Sequence, residues 1–187
     1  MVEEKYRAFL VDHLRTGEIR HSGRDFYTHL KGTHDLLRAW ENPEPVCLAG
    51  LFHSIYGTLH FRRRAFPIHN RRIIRDLIGE EAEFLAYVFC VTERPKAFLA
   101  QAAAAKIVLY DDYADEIIRL SRSDLNKLLE IEVANLVEQG GKIRAVLQQL
   151  LATEISRNAK AGIAAYLERQ TTSGVSSATS SAGALPT

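Results

Sequence analysis

Two histidines stand where this chain could do chemistry. His29 lies in Phe26-Tyr27-Thr28-His29-Leu30 and His53 in Leu51-Phe52-His53-Ser54-Ile55-Tyr56-Gly57-Thr58, each within the apolar face of a helical pattern. An imidazole on such a stripe needs a partner for its ring nitrogens. A backbone carbonyl or a hydroxyl would serve, and so would a metal ion shared between two crossing helices. A third group is also out of place: Leu125, Leu128, Leu129 and Leu136 define a stripe with Glu132 in its middle and Asn135 beside it. A buried carboxylate is costly unless it is protonated, hydrogen-bonded, paired with a cation or bound to a metal. Glu132 therefore reads either as a third ligand to the ion or as the partner of a buried arginine. Glu130 and Glu138 project elsewhere on the wheel and read as ordinary solvated charge.

Between two of the helical patterns, Phe61-Arg62-Arg63-Arg64-Ala65-Phe66-Pro67-Ile68-His69-Asn70-Arg71-Arg72 carries five arginines and two aromatics. Guanidinium forks match phosphate oxygens in pairs, so the segment could hold a phosphate; a solvated turn is the plainer reading. His60 and His69 sit in loop context and read as surface imidazoles. The dipeptide His34-Asp35 looks like a metal pair, but its aspartate falls opposite the apolar face of Phe26, Leu30, Thr33, Leu37 and Trp40, so it reads as surface. No glycine-rich phosphate loop, CxxC pair or Ser-His-Asp order is present, which removes several common enzyme classes.

Helices must position these residues. Apolar residues recur at helical spacing through most of the chain, and the alternation of strands is scarce, so the spacing predicts an all-α domain. Helices are predicted over 2–15, 25–40, 45–57, 67–78, 80–92, 97–119, 124–138, 141–154 and 157–169, separated by Gly, Pro, Ser and Asn punctuation. The organisation is one domain over 1–169 and a tail over 170–187 whose Ser, Thr, Ala and Gly composition predicts disorder. The formal charge of +1 provides no global field for nucleic acid or an anionic membrane. No stretch approaches the roughly 20 apolar residues of a membrane span. The first residues lack the order of a signal peptide, and Cys47 and Cys90 fall in apolar runs, so the expectation is a cytoplasmic protein.

Taken in order, Arg20-His21-Ser22-Gly23-Arg24-Asp25-Phe26-Tyr27-Thr28-His29 resembles the run that opens the hydrolase domain of stringent-response alarmone hydrolases. Ala49-Gly50-Leu51-Phe52-His53 resembles that family's second metal histidine. Ile78 to Leu85, on through Val91-Thr92, resembles its following helix, and Asn135 is similar to the asparagine after its last ligand. The wider group is the HD superfamily, and the resemblance implies an HD-domain/PDEase-like helical bundle in which histidines and aspartates hold metals that activate water against phosphate esters. The chain departs from that pattern at Ser54, where the family has aspartate, at Tyr56-Gly57-Thr58, where it has an acidic pair, and at Ile131, where its last aspartate stands. Glu132 is the nearest acidic substitute.

The expected activity is a metal-dependent phosphohydrolase acting on a nucleotide or another phosphorylated small molecule. His29, His53 and Glu132 would hold a divalent ion, manganese, zinc or iron. Ser54 and Tyr56 are the candidate catalytic side chains, and Arg20, Arg24, Thr58, Arg62 and Asn135 the candidate substrate contacts. Two alternatives stand beside it. One is a degenerate, non-catalytic HD-like binding module; the other is a non-haem iron oxygenase on the same helical cage.

Overall fold

Asp25 opens the helix that carries His29. Its carboxylate accepts from the Thr28 amide at 2.8 Å and from the Thr28 hydroxyl at 2.6 Å, an N-cap that satisfies two donors at once. The computed structural model describes residues 2–21, 23–59, 61 and 63–178. Its helices are α1 (Glu4–Ala8), α2 (Phe26–Ala39), α3 (Glu44–Phe52), α4 (Arg71–Ile78), α5 (Glu80–Val91), α6 (Lys96–Gln101), α7 (Arg122–Gln139), α8 (Arg144–Leu151) and α9 (Arg157–Ala178). The fold is mostly helical, as the spacing predicts, with two small antiparallel hairpins: β1 (Arg20–His21) with β2 (Arg24–Asp25), and β3 (Ile107–Asp111) with β4 (Glu116–Leu120).

The second hairpin corrects the helix predicted over 97–119. Only Lys96–Gln101 is helical there. In β3, Ile107, Leu109 and Asp111 point inward and Val108 and Tyr110 outward, the period-2 pattern of a half-covered strand. The helix predicted over 2–15 changes its geometry part-way: after α1 the chain widens into a π-helical turn over Phe9–His13. The helix predicted over 45–57 ends at Phe52, and the chain then turns through His53 to Tyr56. At the other end, α9 continues through Ala178, past the boundary placed at 169, and the rest of the predicted tail, 179–187, lies outside the described residues.

Helix α3 is the centre of the bundle. All its residues from Val46 to Phe52 are buried, and it packs against α2, α5 and α7. Gly50 permits the close crossing with α2: a Cβ at this position would lie 2.3 Å from Leu37 Cδ1. That closeness brings the end of α3 against the middle of α2, which is where His53 and His29 meet. Helix α7 starts from a reciprocal capping box between Ser121 and Asp124 and runs past α2, α3, α5 and α9. It is covered on nearly every side, with Leu125 and Leu128 to Asn135 buried without a break from 128 on.

Candidate functional site

His29 and His53 are both fully buried, and their Nε2 atoms face one another at 3.1 Å. The rings meet edge to face with centroids 4.9 Å apart. Each Nδ1 is anchored. His53 Nδ1 donates to the Gly50 carbonyl at 2.6 Å, and His29 Nδ1 meets the Glu138 carboxylate. The sequence reading thus finds both histidines and their convergence, while the carboxylate beside them is a different one.

Glu138, read above as solvated, has its side chain buried, 6% exposed. Its Oε1 is 2.6 Å from Arg24 Nη1, its Oε2 meets His29, and its main-chain carbonyl accepts from Arg24 Nη2 at 2.8 Å. The helical wheel fixed the apolar face of α7 but not that α2 covers the neighbouring face near its C-terminus. Glu130 is buried as well: it accepts from Asn42 Nδ2 at 3.2 Å and from the amide and hydroxyl of Ser156 at the start of α9. Arg24, a candidate substrate contact, is instead the clamp on Glu138. Arg20 is exposed and reaches the Gly23 carbonyl at 3.3 Å.

Glu132 does not join the two histidines in a metal-binding group among the described residues. It is fully buried, but its Oε2 accepts from Arg94 Nη1 at 2.9 Å, the alternative reading of this residue. Among the described residues no three His, Cys, Asp or Glu side chains come together as a metal-binding group. Arg94 lies over the Phe89 ring, 3.9 Å from its centroid, and Phe89 in turn meets the His53 ring edge-on at 5.1 Å, so the Glu132 pair sits one layer behind the histidines. Among the described residues, Glu132 Oε1 and Arg94 Nε have no hydrogen-bond partner. Asn135 is buried nearby and accepts from Gln139 Nε2 at 3.2 Å. His34 is buried with Nδ1 3.0 Å from Asp35 Oδ1, so only the aspartate of that dipeptide is at the surface. His60 and Arg62 lie outside the described residues.

Beyond His53 the chain turns through Ser54 and Tyr56, both buried. The Tyr56 hydroxyl donates to Glu83 Oε1 at 2.9 Å, and Arg71 grips the same carboxylate at 2.6 Å and 2.9 Å. Burial first, and then the Glu83 charge, hold the Tyr56 hydroxyl far above its ordinary pKa, so it stays protonated and committed to Glu83. Arg71 also lies 3.4 Å from the Tyr87 ring centroid, and the Tyr87 hydroxyl donates to Asp111 at the end of β3. A polar chain therefore ties the turn after α3 to the second hairpin.

A cavity of about 300 Å³ opens between that turn and the hairpin, lined by Tyr56, Thr58, Arg64, Cys90, Asp112 and Tyr113 among others. Thr58 does face a cavity, and Arg64 of the arginine run lies over the Tyr113 ring at its edge, 5.1 Å from the centroid. The Cys90 thiol donates to the His53 carbonyl at 3.1 Å, so the cavity wall touches the main chain of His53. Burial pushes that thiol up to about 12, which leaves it no role as a nucleophile near neutral pH. Among the described residues no helix is long and apolar enough to cross a membrane.

A family model described as a domain of unknown function (DUF6817) matches residues 10–94, a span that holds both histidines, Tyr56 and Glu83 and ends at Arg94. No curated protein and no solved structure matches the chain.

Proposed function

We propose that this chain is an HD-like, metal-dependent phosphohydrolase acting on a small phosphorylated molecule, with a divalent ion held by the Nε2 atoms of His29 and His53. One observation carries the reading. Among the described residues, three polar contacts of the two imidazoles stand out: His53 Nδ1 to a carbonyl, His29 Nδ1 to a carboxylate, and Nε2 to Nε2. A carbonyl and an ionised carboxylate only accept, so each contact needs one hydrogen, and two neutral imidazoles supply two. The described contacts leave a place for one cation, a proton or a metal ion, between the two Nε2 atoms.

A metal ion fits that place. Two imidazole nitrogens at the ~2.0–2.1 Å of a zinc–nitrogen bond lie roughly 2.9–3.4 Å apart at ordinary coordination angles, close to the separation present. Both ligands also have the outer partner, carboxylate or carbonyl, that metal-bound histidines use to fix their orientation. A bound ion would supply acidification of a water and stabilisation of charge on the phosphoryl oxygens. The chain's own residues do the rest. Arg64, at the cavity edge with Tyr113 under its guanidinium, would meet a phosphate entering the cavity, and the Tyr56–Glu83–Arg71 chain holds the turn that forms the wall. His29 and His53 are themselves fully buried, so a bound ion would lie away from bulk water.

A second reading has its own observation. Glu132, the carboxylate nearest in sequence to the family's last ligand, is taken by Arg94. With a shared proton in place of the metal, the same pocket is a non-catalytic HD-like binding module. Elemental mass spectrometry of tag-free protein separates the two, alongside His29→Ala and His53→Ala prepared identically. Near-stoichiometric manganese, zinc or iron, lost in both variants, is the expected result. Iron accompanied by oxygen uptake would move the chemistry to an oxygenase. No metal, even after reconstitution, overturns the proposal and leaves the binding module.

A further inference from the structure

We propose that Glu138 is the positioning residue of the centre: clamped by Arg24 and seated on Gly32, it fixes His29 in the tautomer that turns a bare Nε2 toward His53. The inference rests on the metal reading for its consequence but not for its geometry. The two carboxylate oxygens are divided, Oε1 to Arg24 Nη1 at 2.6 Å and Oε2 to His29 Nδ1. Arg24 also holds the Glu138 main-chain carbonyl at 2.8 Å, so the guanidinium fork sets both the side chain and the end of α7. The site makes room for this arrangement at Gly32, where a Cβ would come within 2.7 Å of Glu138 Cγ and Oε1. A residue three positions after His29 on α2 is therefore absent in side chain so that a carboxylate from α7 can lie across the helix.

The division of oxygens gives the proposal a sharp test. In Glu138→Gln one oxygen becomes an amide nitrogen of the same size. Arg24 offers only donors, so the remaining oxygen must face Arg24 and the NH2 group must face His29. His29 Nδ1 then accepts, its single hydrogen moves to Nε2, and the lone pair aimed at His53 is gone. Long-range proton–nitrogen correlation spectra of the histidine rings read this directly: the His29 ring should change from the Nδ1–H to the Nε2–H form, with His53, held by the Gly50 carbonyl, unchanged.

The second readout is zinc affinity by competition with a chromophoric chelator, using zinc alone. Loss of such an outer partner weakens metal binding about 10–100-fold, and Glu138→Gln should fall in or beyond that range. Arg24→Gln keeps the carboxylate but frees it, so it should show a smaller loss with the His29 tautomer kept; it also serves if the first variant does not fold. A folded Glu138→Gln protein with the wild-type tautomer and wild-type zinc affinity overturns the inference. If the wild-type protein binds none of zinc, manganese and iron, the phosphohydrolase reading fails instead, and the tautomer measurement alone decides the role of Glu138.

Discussion

Glu138 and Glu132 sit on one helix six residues apart, both with buried side chains and both facing an arginine, yet they are in opposite circumstances. Glu138 has every oxygen engaged: two arginine contacts and an imidazole share it, and Arg24 keeps more than a third of its side chain in water. Among the described residues Glu132 has one partner, Arg94, which is itself buried on the Phe89 ring, and the pair leaves Oε1 and Arg94 Nε without hydrogen bonds. A buried ion pair returns its desolvation cost only when the remaining donors and acceptors are satisfied. The difference separates a carboxylate that arranges chemistry from one that fills a place in the core. Burial alone, the property that first made Glu132 look functional, does not discriminate between them.

The largest effect that would break this comparison is on stability. Glu132→Gln leaves the Arg94 charge buried without its counter-ion, and removal of one partner of a buried pair costs about 3–5 kcal/mol. Glu138→Gln should cost only about 1 kcal/mol, because Arg24 can turn to solvent. Chemical denaturation of the two variants measures both. Equal losses, or a larger loss at Glu138, would mean that the Arg94 pair is not the isolated core element described here.

A second, smaller effect sharpens the same point. If the Glu132–Arg94 pair only fills space, replacing both partners by apolar residues should restore most of what a single change removes. Arg94→Met with Glu132→Leu should recover at least half of the loss of Glu132→Leu alone, read from the same unfolding curves. A double variant that loses the sum of the two single losses would show that Glu132 has a role beyond its arginine.

Much of this was legible in the residues. The apolar surroundings of His29 and His53 already placed both imidazoles inside, and the small Gly50 before His53 is what lets their helices approach. The helical class followed from spacing over α2, α3, α5 and α7. The carboxylate was not legible, because a wheel orders the faces of one helix and says nothing about which neighbour covers each face. Glu138 lies off the leucine stripe of α7, and only the crossing of α2, with Gly32 at the contact, turns that flank inward. The hairpin after α6 was hidden for a different reason. Ile107, Val108, Leu109, Ile117, Ile118 and Leu120 satisfy helical spacing about as well as strand alternation, and the decisive signal was the aspartate-rich turn between them, where Asp111 accepts from the Tyr113 and Ala114 amides at 2.9 Å and 2.8 Å.

The smallest expected effect is also the one that tests the comparison without changing any charge. Gly32→Ala adds a methyl group where Glu138 Cγ, Oε1 and Cδ lie 2.7 Å, 2.7 Å and 3.0 Å away. Alanine is the better helix former by about 1 kcal/mol, so a merely structural glycine in α2 would gain stability on substitution. Here the carboxylate must move, and movement of a few tenths of an ångström is resisted at both ends, by Arg24 and by His29. The gain from propensity and the loss from displacement should nearly cancel, leaving a melting temperature within a few degrees of the wild type. Zinc affinity, by contrast, should fall several-fold, because the contact that fixes His29 is the one disturbed. A variant that is more stable and binds zinc unchanged would show that Glu138 can leave its place at no cost to the histidines, and the distinction drawn between the two carboxylates of α7 would not hold.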